Sequence, residues 1–116
     1  MKVLALIYGN EEQWESLPPE EVEEVYAKHR AFAAVAAAKL VTGAELAATS
    51  TATTVRVRED ETVVTDGPFA ETKEVLGGFY LLDCESLEEA AGLASQLAEA
   101  STGAIELRAA REEEAA

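Results

Sequence analysis

Two side chains in this sequence are suited to proton transfer: His29, the chain's only histidine, and Asp66, the first residue of the segment DGPF. The spacing of apolar residues places His29 on the buried face of a helix, where a lone histidine more often has a structural role. Asp66 precedes Gly67, and an Asp-Gly pair is a common turn signal. The alternative to these two structural roles is a catalytic one. His29 would then act as a general acid or base, and the Asp66 carboxylate would fix its tautomer.

The residues after Asp66 favour more than a simple turn. Pro68 fixes its own φ and biases Gly67 towards extended conformations, so a stiff backbone should hold the Asp66 carboxylate. Phe69 supplies an apolar side chain that could anchor this corner. Residues 71–74 carry three charges and are compatible with either a short helix or a solvated loop.

The other polar candidates have weaker support. Arg56 and Arg58 could bind a substrate carboxylate, although arginines in such positions more often pair with nearby glutamates. Cys84 stands at the end of a strand with no base nearby in sequence, which is typical of a buried, unreactive cysteine. Position alone suggests four further residues that could line a pocket: Tyr8, Thr51, Thr53 and Tyr80.

The composition limits the classes of partner and cofactor. Nine basic and twenty-three acidic side chains give a net charge of −14, which repels nucleic acids and anionic membrane surfaces. One cysteine and one histidine cannot form an internal disulfide or a four-ligand zinc site. Gly77-Gly78 opens a strand rather than a phosphate-binding loop, and no local spacing of carboxylates indicates a Mg²⁺ or Ca²⁺ site. We therefore expect a protein that needs no cofactor or metal.

The length of 116 residues is that of a single domain. Hydrophobic periodicity divides this domain into strands and helices. No apolar run is long enough to cross a bilayer, and the opening MKVLALIYG is too short for a signal peptide, so we expect a cytoplasmic protein. The predicted elements are a strand over 2–8, a helix from Pro19 to Leu40, a loop over 44–50, strands over 51–58, 62–65 and 77–84, a helix opened by the capping residue Ser86, and a strand over 104–108.

The predicted element order is β-α-β-β-β-α-β, which indicates an α+β sandwich of the ferredoxin-like kind with a mainly antiparallel sheet. Two helices can cover only one face of that sheet. The strands over 2–8 and 79–82 are nevertheless apolar on both faces. A homodimer that packs through the open sheet face is the simplest arrangement that would cover the second one.

The sequence resembles the YCII-related family, and in particular the branch named for its DGPF motif. The resemblance extends over nearly the whole chain and rests on Trp14, on His29 with Phe32, and on the segments LIYG, TATTVRVR, VVTDGPFAETKE, GGFYLLD and GAIELR. It implies a ferredoxin-like dimeric α+β barrel and a pocket with a catalytic His-Asp pair, which by position is His29 and Asp66. It also implies genetic association with extracytoplasmic-function sigma factors, without defining a reaction.

From the residues and the resemblance together we expect a family domain over residues 1–109 and an acidic tail over 110–116. The functional hypothesis is a homodimeric enzyme of the isomerase or lyase type, in which His29 and Asp66 transfer protons on a small organic molecule. Its substrate-binding residues would be Tyr8, Thr53, Arg56, Phe69 and Tyr80. The alternatives are a binding or regulatory module without catalysis, and a purely structural role for His29 and the DGPF segment.

Overall fold

A computed structural model describes residues 1–112, and within them the chain forms six strands and four α-helices. In chain order the elements are β1 (Lys2–Asn10), α1 (Glu11–Ser16), α2 (Pro19–Val35), β2 (Leu40–Glu45), β3 (Thr53–Arg58), β4 (Glu61–Asp66), β5 (Glu74–Asp83), α3 (Leu87–Ala94), α4 (Glu99–Thr102) and β6 (Ala104–Ala109). Residues 113–116 of the predicted acidic tail lie outside the described residues.

Four strands form the main sheet in the order β2-β5-β1-β6, and all three strand pairs are antiparallel. With the β3–β4 hairpin set aside, the order of elements is β-α-β-β-α-β, which is the ferredoxin-like arrangement. The predicted α+β class with a mainly antiparallel sheet is therefore confirmed.

The core lies between this sheet and the helices. Every second residue of β1 is buried, beginning at Val3, because alternate side chains of a strand point to opposite faces. Val3 packs in one cluster with Phe32 of α2, Leu82 of β5 and Ala90 of α3. The other face of the sheet carries apolar side chains from β1 and β5 that are only half-buried: Leu4, Leu6, Phe79 and Leu81.

The first long helix is shorter than predicted, and the strand that follows it was missed. Helix α2 begins at Pro19 as expected but ends at Val35, and the chain then turns through hydrogen bonds from the Lys39 and Leu40 amides to the Ala36 carbonyl. Residues 40–45 form β2, an edge strand of the main sheet. Gly43 therefore lies within a strand and does not end a helix.

The predicted strands over 51–58 and 62–65 form as β3 and β4, but they pair only with each other, so their predicted place in the single sheet is wrong. The turn of this hairpin has two residues, Glu59 and Asp60, with φ of 50° and 66°. Positive φ at both central positions is the conformation that matches the twist of two antiparallel strands. At the other end of the hairpin Gly67 has a φ of 95°, which the Asp66-Gly67 turn signal favours, whereas the bias of Gly67 towards extended conformations expected from Pro68 is not observed.

The second helical region is divided. Ser86 caps α3 by accepting a hydrogen bond from the Glu89 amide at 3.1 Å, as the capping pattern predicts. The helix ends at Ala94, and after a turn the short helix α4 begins at Glu99. Ala90, Ala94, Leu97 and Ala98 are buried as expected, whereas Leu87 is largely exposed, so its predicted place in the buried stripe is wrong.

Candidate functional site

A cavity of about 520 Å³ lies between helix α2 and the main sheet, closed at one end by α1. A volume in this range is typical of sites for small organic ligands. Its walls combine apolar, aromatic and acidic side chains; the residues that matter below are Glu11, Trp14, Tyr26, His29, Glu45, Tyr80 and Glu99.

Helix α1, which the sequence did not predict, supplies the tryptophan wall of this cavity. Asn10 caps the helix by accepting a hydrogen bond from the Gln13 amide at 3.1 Å. One turn later the Trp14 ring lies against the backbone of β1 and β5, where a Cβ atom on Gly9 would be 2.4 Å from one ring carbon and a Cβ atom on Gly77 would be 2.6 Å from two. The absence of side chains at Gly9 and Gly77 is what lets the indole approach the sheet.

Tyr80 of β5 points to the helix side of the sheet and is fixed by packing on two sides. Its ring lies 4.7 Å from that of Phe32, centroid to centroid, at an angle of 41°. On the side of β2, a Cβ atom on Gly43 would lie 2.5 Å from Cδ1 of the tyrosine, so a larger residue there would displace the ring. This packing leaves the phenol with little freedom and directs its hydroxyl to His29.

Both ring nitrogens of His29 are hydrogen-bonded. Nδ1 lies 2.7 Å from the Tyr80 hydroxyl, and Nε2 lies 2.8 Å and 3.1 Å from the two carboxylate oxygens of Glu99. An ionised carboxylate can only accept hydrogen bonds, so Nε2 carries a proton and donates it to Glu99. In the neutral ring Nδ1 then accepts the hydrogen bond that the Tyr80 hydroxyl donates.

Glu99 is the most buried charged residue of this site, with 9% of its surface exposed. Burial by itself would raise the pKa of its carboxyl, but the hydrogen bond from His29, the positive charge of that ring when it is protonated and a backbone hydrogen bond together lower the pKa of Glu99 below its ordinary value. Burial, together with the negative charges of Glu99 and Glu45, raises the pKa of Tyr80, so the phenol stays protonated.

A second phenol and carboxylate pair stands in the same cavity. The Tyr26 hydroxyl donates a hydrogen bond to the Glu45 carboxylate at 2.9 Å, and this bond raises the pKa of Tyr26. Glu11 accepts hydrogen bonds from the hydroxyl and the amide of Thr49, which lower its pKa. Among residues 1–112, no Lys or Arg lines the cavity, so its field is negative.

The structure does not bring His29 and Asp66 together within one chain. Asp66 lies exposed at the end of β4, paired with Thr53 of β3, whereas the His29 ring is bonded to Tyr80 and Glu99. The sequence assigned to Asp66 the role of a carboxylate that fixes the histidine tautomer, and in this chain Glu99 occupies that position.

Of the predicted substrate-binding residues, only Tyr80 lines the cavity. Thr53 and Arg56 belong to the exposed hairpin, and Phe69 is 79% exposed, so it anchors nothing within its own chain. Tyr8 lies on β1 outside the cavity lining. Cys84 is buried, and burial raises the pKa of its thiol, which fits the expectation of an unreactive cysteine.

The sequence analysis missed five site residues as functional candidates: Glu11, Trp14, Tyr26, Glu45 and Glu99. Tyr26 and His29 are three positions apart on one predicted helix, a spacing that places two side chains on the same face. That spacing was a usable signal. Glu99 had none, because its contact with His29 joins residues 70 positions apart.

Within the described part of the chain, no three His, Cys, Asp or Glu side chains are grouped as a metal site would require. Across the same residues, no helix combines the length and the hydropathy of a membrane span.

Comparison with known proteins identifies the family of this chain. The family model of the YCII-related domain matches residues 1–114. An uncharacterized protein of Rhizobium meliloti (strain 1021) is 45% identical over an alignment of 114 positions, which covers 93% of this chain and 90% of that protein. A match that spans nearly all of both sequences, together with the ferredoxin-like core, places the molecule without ambiguity. The chain belongs to the YCII-related family.

Proposed function

We propose that this protein is an acid–base enzyme of the isomerase or lyase type, and that Glu99, His29 and Tyr80 form its proton relay. The observation that carries the proposal is the chain of hydrogen bonds from a buried carboxylate through the imidazole to a phenol, at 2.8 Å and 2.7 Å, with the phenol at a cavity wall. A carboxylate that orients a histidine, which in turn contacts the reacting group, is a recurrent catalytic arrangement.

The relay can move a proton in either direction. When a bound molecule takes the proton of the Tyr80 hydroxyl, the imidazolium form of His29 replaces it from Nδ1. When a bound molecule gives up a proton, Tyr80 accepts it while its own proton passes to Nδ1, and Glu99 stabilises the imidazolium that forms. Tyr80 and His29 would be the catalytic residues, and Glu99 a positioning residue.

The charges of the cavity favour an uncharged or cationic small molecule. Its four glutamates are Glu11, Glu15, Glu45 and Glu99. An anionic substrate would meet these carboxylates without a compensating guanidinium or ammonium group. Arg56, a predicted substrate ligand, is exposed on the hairpin. The proposed substrates therefore do not include the carboxylates that the sequence suggested Arg56 could bind.

The proposal includes a cytoplasmic homodimer that is joined through the open sheet face. The main sheet carries Leu4, Leu6, Phe79 and Leu81 on the face opposite the helices, where these side chains are only half-buried. Apolar residues in a contiguous patch of this kind mark an interface more often than a solvated surface.

The test uses deuterium incorporation, because it reports proton transfer without knowledge of the product. Matched sets of small ketones, alcohols, amines and carboxylic acids are first screened for binding by thermal shift. Molecules that bind are then incubated in D₂O and their carbon-bound protons followed by ¹H NMR. We expect exchange with the wild-type protein and a loss of about 10²-fold or more in Tyr80→Phe and His29→Gln.

The second candidate function is ligand binding without catalysis, as in a sensor or an accessory protein to a regulatory factor such as an extracytoplasmic-function sigma factor. It is favoured by the complete pairing of the His29 ring, since a ring with both nitrogens occupied also serves a purely structural purpose. In that case molecules bind but exchange no proton, and His29→Gln changes only their affinity or the stability of the fold.

A further inference from the structure

The hairpin of β3 and β4, residues 53–66, is an arm that stands apart from the rest of the molecule. Its two strands hydrogen-bond with each other and belong to no larger sheet. Two further hydrogen bonds close the base of the arm on itself: the Gly67 amide donates to the Ala52 carbonyl, and the Thr54 hydroxyl donates to the Gly67 carbonyl. A two-stranded hairpin by itself is marginally stable in water.

One face of this arm is apolar and uncovered. Val55 and Val64 lie directly opposite each other on the two strands, and Val57 lies two residues along on the same face. These three side chains are 61%, 60% and 68% exposed. Three neighbouring valines on an isolated hairpin, each more than half exposed, need a surface to cover them.

The chain exposes more surface than a compact monomer of its mass, and the excess indicates how much surface a partner could cover. The chain exposes 8196 Å². A compact monomer of 12.3 kDa exposes about 6100 Å², so the excess is about 2000 Å². The radius of gyration is 16.3 Å, against about 13 Å for a compact domain of this length. The extents of 49 × 47 × 18 Å describe a thin plate.

We propose that the arm packs, through its valine face, on a second copy of this chain, so that each copy covers the arm of the other. An excess of about 2000 Å² on each chain corresponds to the larger, obligate class of homodimer interface. A two-fold contact between two copies covers both arms at once. The inference rests on the homodimer proposed above and adds a distinct contact to it.

The test compares two faces of the same hairpin. In Val55→Thr/Val64→Thr the valine face gains two hydroxyl groups while strand propensity is kept, because Thr is also β-branched. The control is Val63→Thr, on the opposite face of the same strand. Sedimentation analysis should show the dimer dissociation constant raised at least about tenfold in the double variant and within about twofold of the wild type in the control.

A second measurement observes the contact directly. In a mixed sample of ¹³C-labelled and unlabelled chains, an isotope-filtered NOE spectrum should connect the methyl groups of Val55 and Val57 to protons of the unlabelled copy. A monomeric wild-type protein would overturn both this inference and the proposed homodimer. If a sheet-face substitution dissociates the dimer but the double variant dimerises like the wild type and shows no such NOE, the homodimer stands and the arm contact is refuted.

Discussion

Nε2 of His29 lies 2.8 Å from Oε1 of Glu99, although the two residues are 70 positions apart in the sequence. Both side chains are largely buried, with 18% and 11% of their surface exposed. A charge-assisted hydrogen bond in such surroundings fixes the ring orientation and the tautomer together. In the neutral ring the unprotonated nitrogen, Nδ1, then faces the Tyr80 hydroxyl. The proposed proton relay depends on this contact between His29 and Glu99.

Replacing Glu99 by Gln should destabilise the protein at neutral pH. The amide keeps the shape of the side chain and its oxygen can still accept from His29, but the hydrogen bond is no longer charge-assisted, which should cost about 1 kcal/mol. Urea unfolding at pH 7 measures the change. The matched control is Glu88→Gln, on an exposed residue of α3, which should alter the free energy of unfolding by less than about 0.5 kcal/mol. Equal stability of the two variants would contradict the assigned contact.

The contribution of Glu99 should also depend on pH in a defined direction. Its pKa is lower in the folded protein than in the unfolded chain, whose reference value is 4.5. The carboxylate therefore stabilises the fold fully above that value, and the stabilisation is lost as the pH falls through the folded pKa. The difference in unfolding free energy between wild type and Glu99→Gln should begin to shrink as the pH falls below 4.5 and approach zero in stronger acid. A difference that grows in acid would reverse the sign and refute the assignment.

The placement of Tyr80 should depend on Gly43. An alanine at this position would place its Cβ 2.5 Å from the tyrosine ring, and such overpacking costs about 1–3 kcal/mol. Gly43→Ala should lower the melting temperature and shift the NMR signals of the His29 ring. Gly92→Ala is the control, because a Cβ there contacts nothing, and an alanine within α3 should instead stabilise by about 0.5–1 kcal/mol.

The proposed sheet-to-sheet contact should be disrupted by one charge. Leu81 lies opposite Leu4 on the open face of the main sheet, so Leu81→Lys leaves an ammonium in water in the monomer but buries it in the dimer. Light scattering after size exclusion should show a folded monomer. Val35→Lys, at an exposed position on α2, should remain dimeric. A dimeric Leu81→Lys protein would place the interface elsewhere.

Much of the fold could be predicted because its signals are local. The apolar run of β1, Pro19 at the start of α2 and Ser86 before α3 each act through neighbouring residues. Strand β2 was missed for two reasons. Its first residue, Leu40, continues the apolar spacing of the preceding helix, and Gly43 at its centre is a residue type that often ends helices. Tertiary pairing with β5 decided the outcome.

The site could be predicted only in part, for a related reason. His29 and Tyr80 lie on elements with clear periodicity, so their faces follow from spacing. Glu99 is directed inward because the chain turns after Ala94 and a new helix begins at Glu99. No residue pattern in this segment predicted that α3 would end at Ala94. Asp66 drew attention because Asp-Gly-Pro is a strong local signal, but local stiffness does not determine which distant side chain a carboxylate meets.

The most direct test of the relay is the ¹⁵N NMR spectrum of the His29 ring, which is unambiguous because the chain has one histidine. In alkaline solution, where the ring is neutral, long-range ¹H–¹⁵N correlations should show a single tautomer with the proton on Nε2, and Tyr80→Phe should shift the Nδ1 signal. Glu99→Gln should weaken that preference. A proton on Nδ1, or averaged tautomers that neither variant changes, would contradict the relay from Glu99 through His29 to Tyr80.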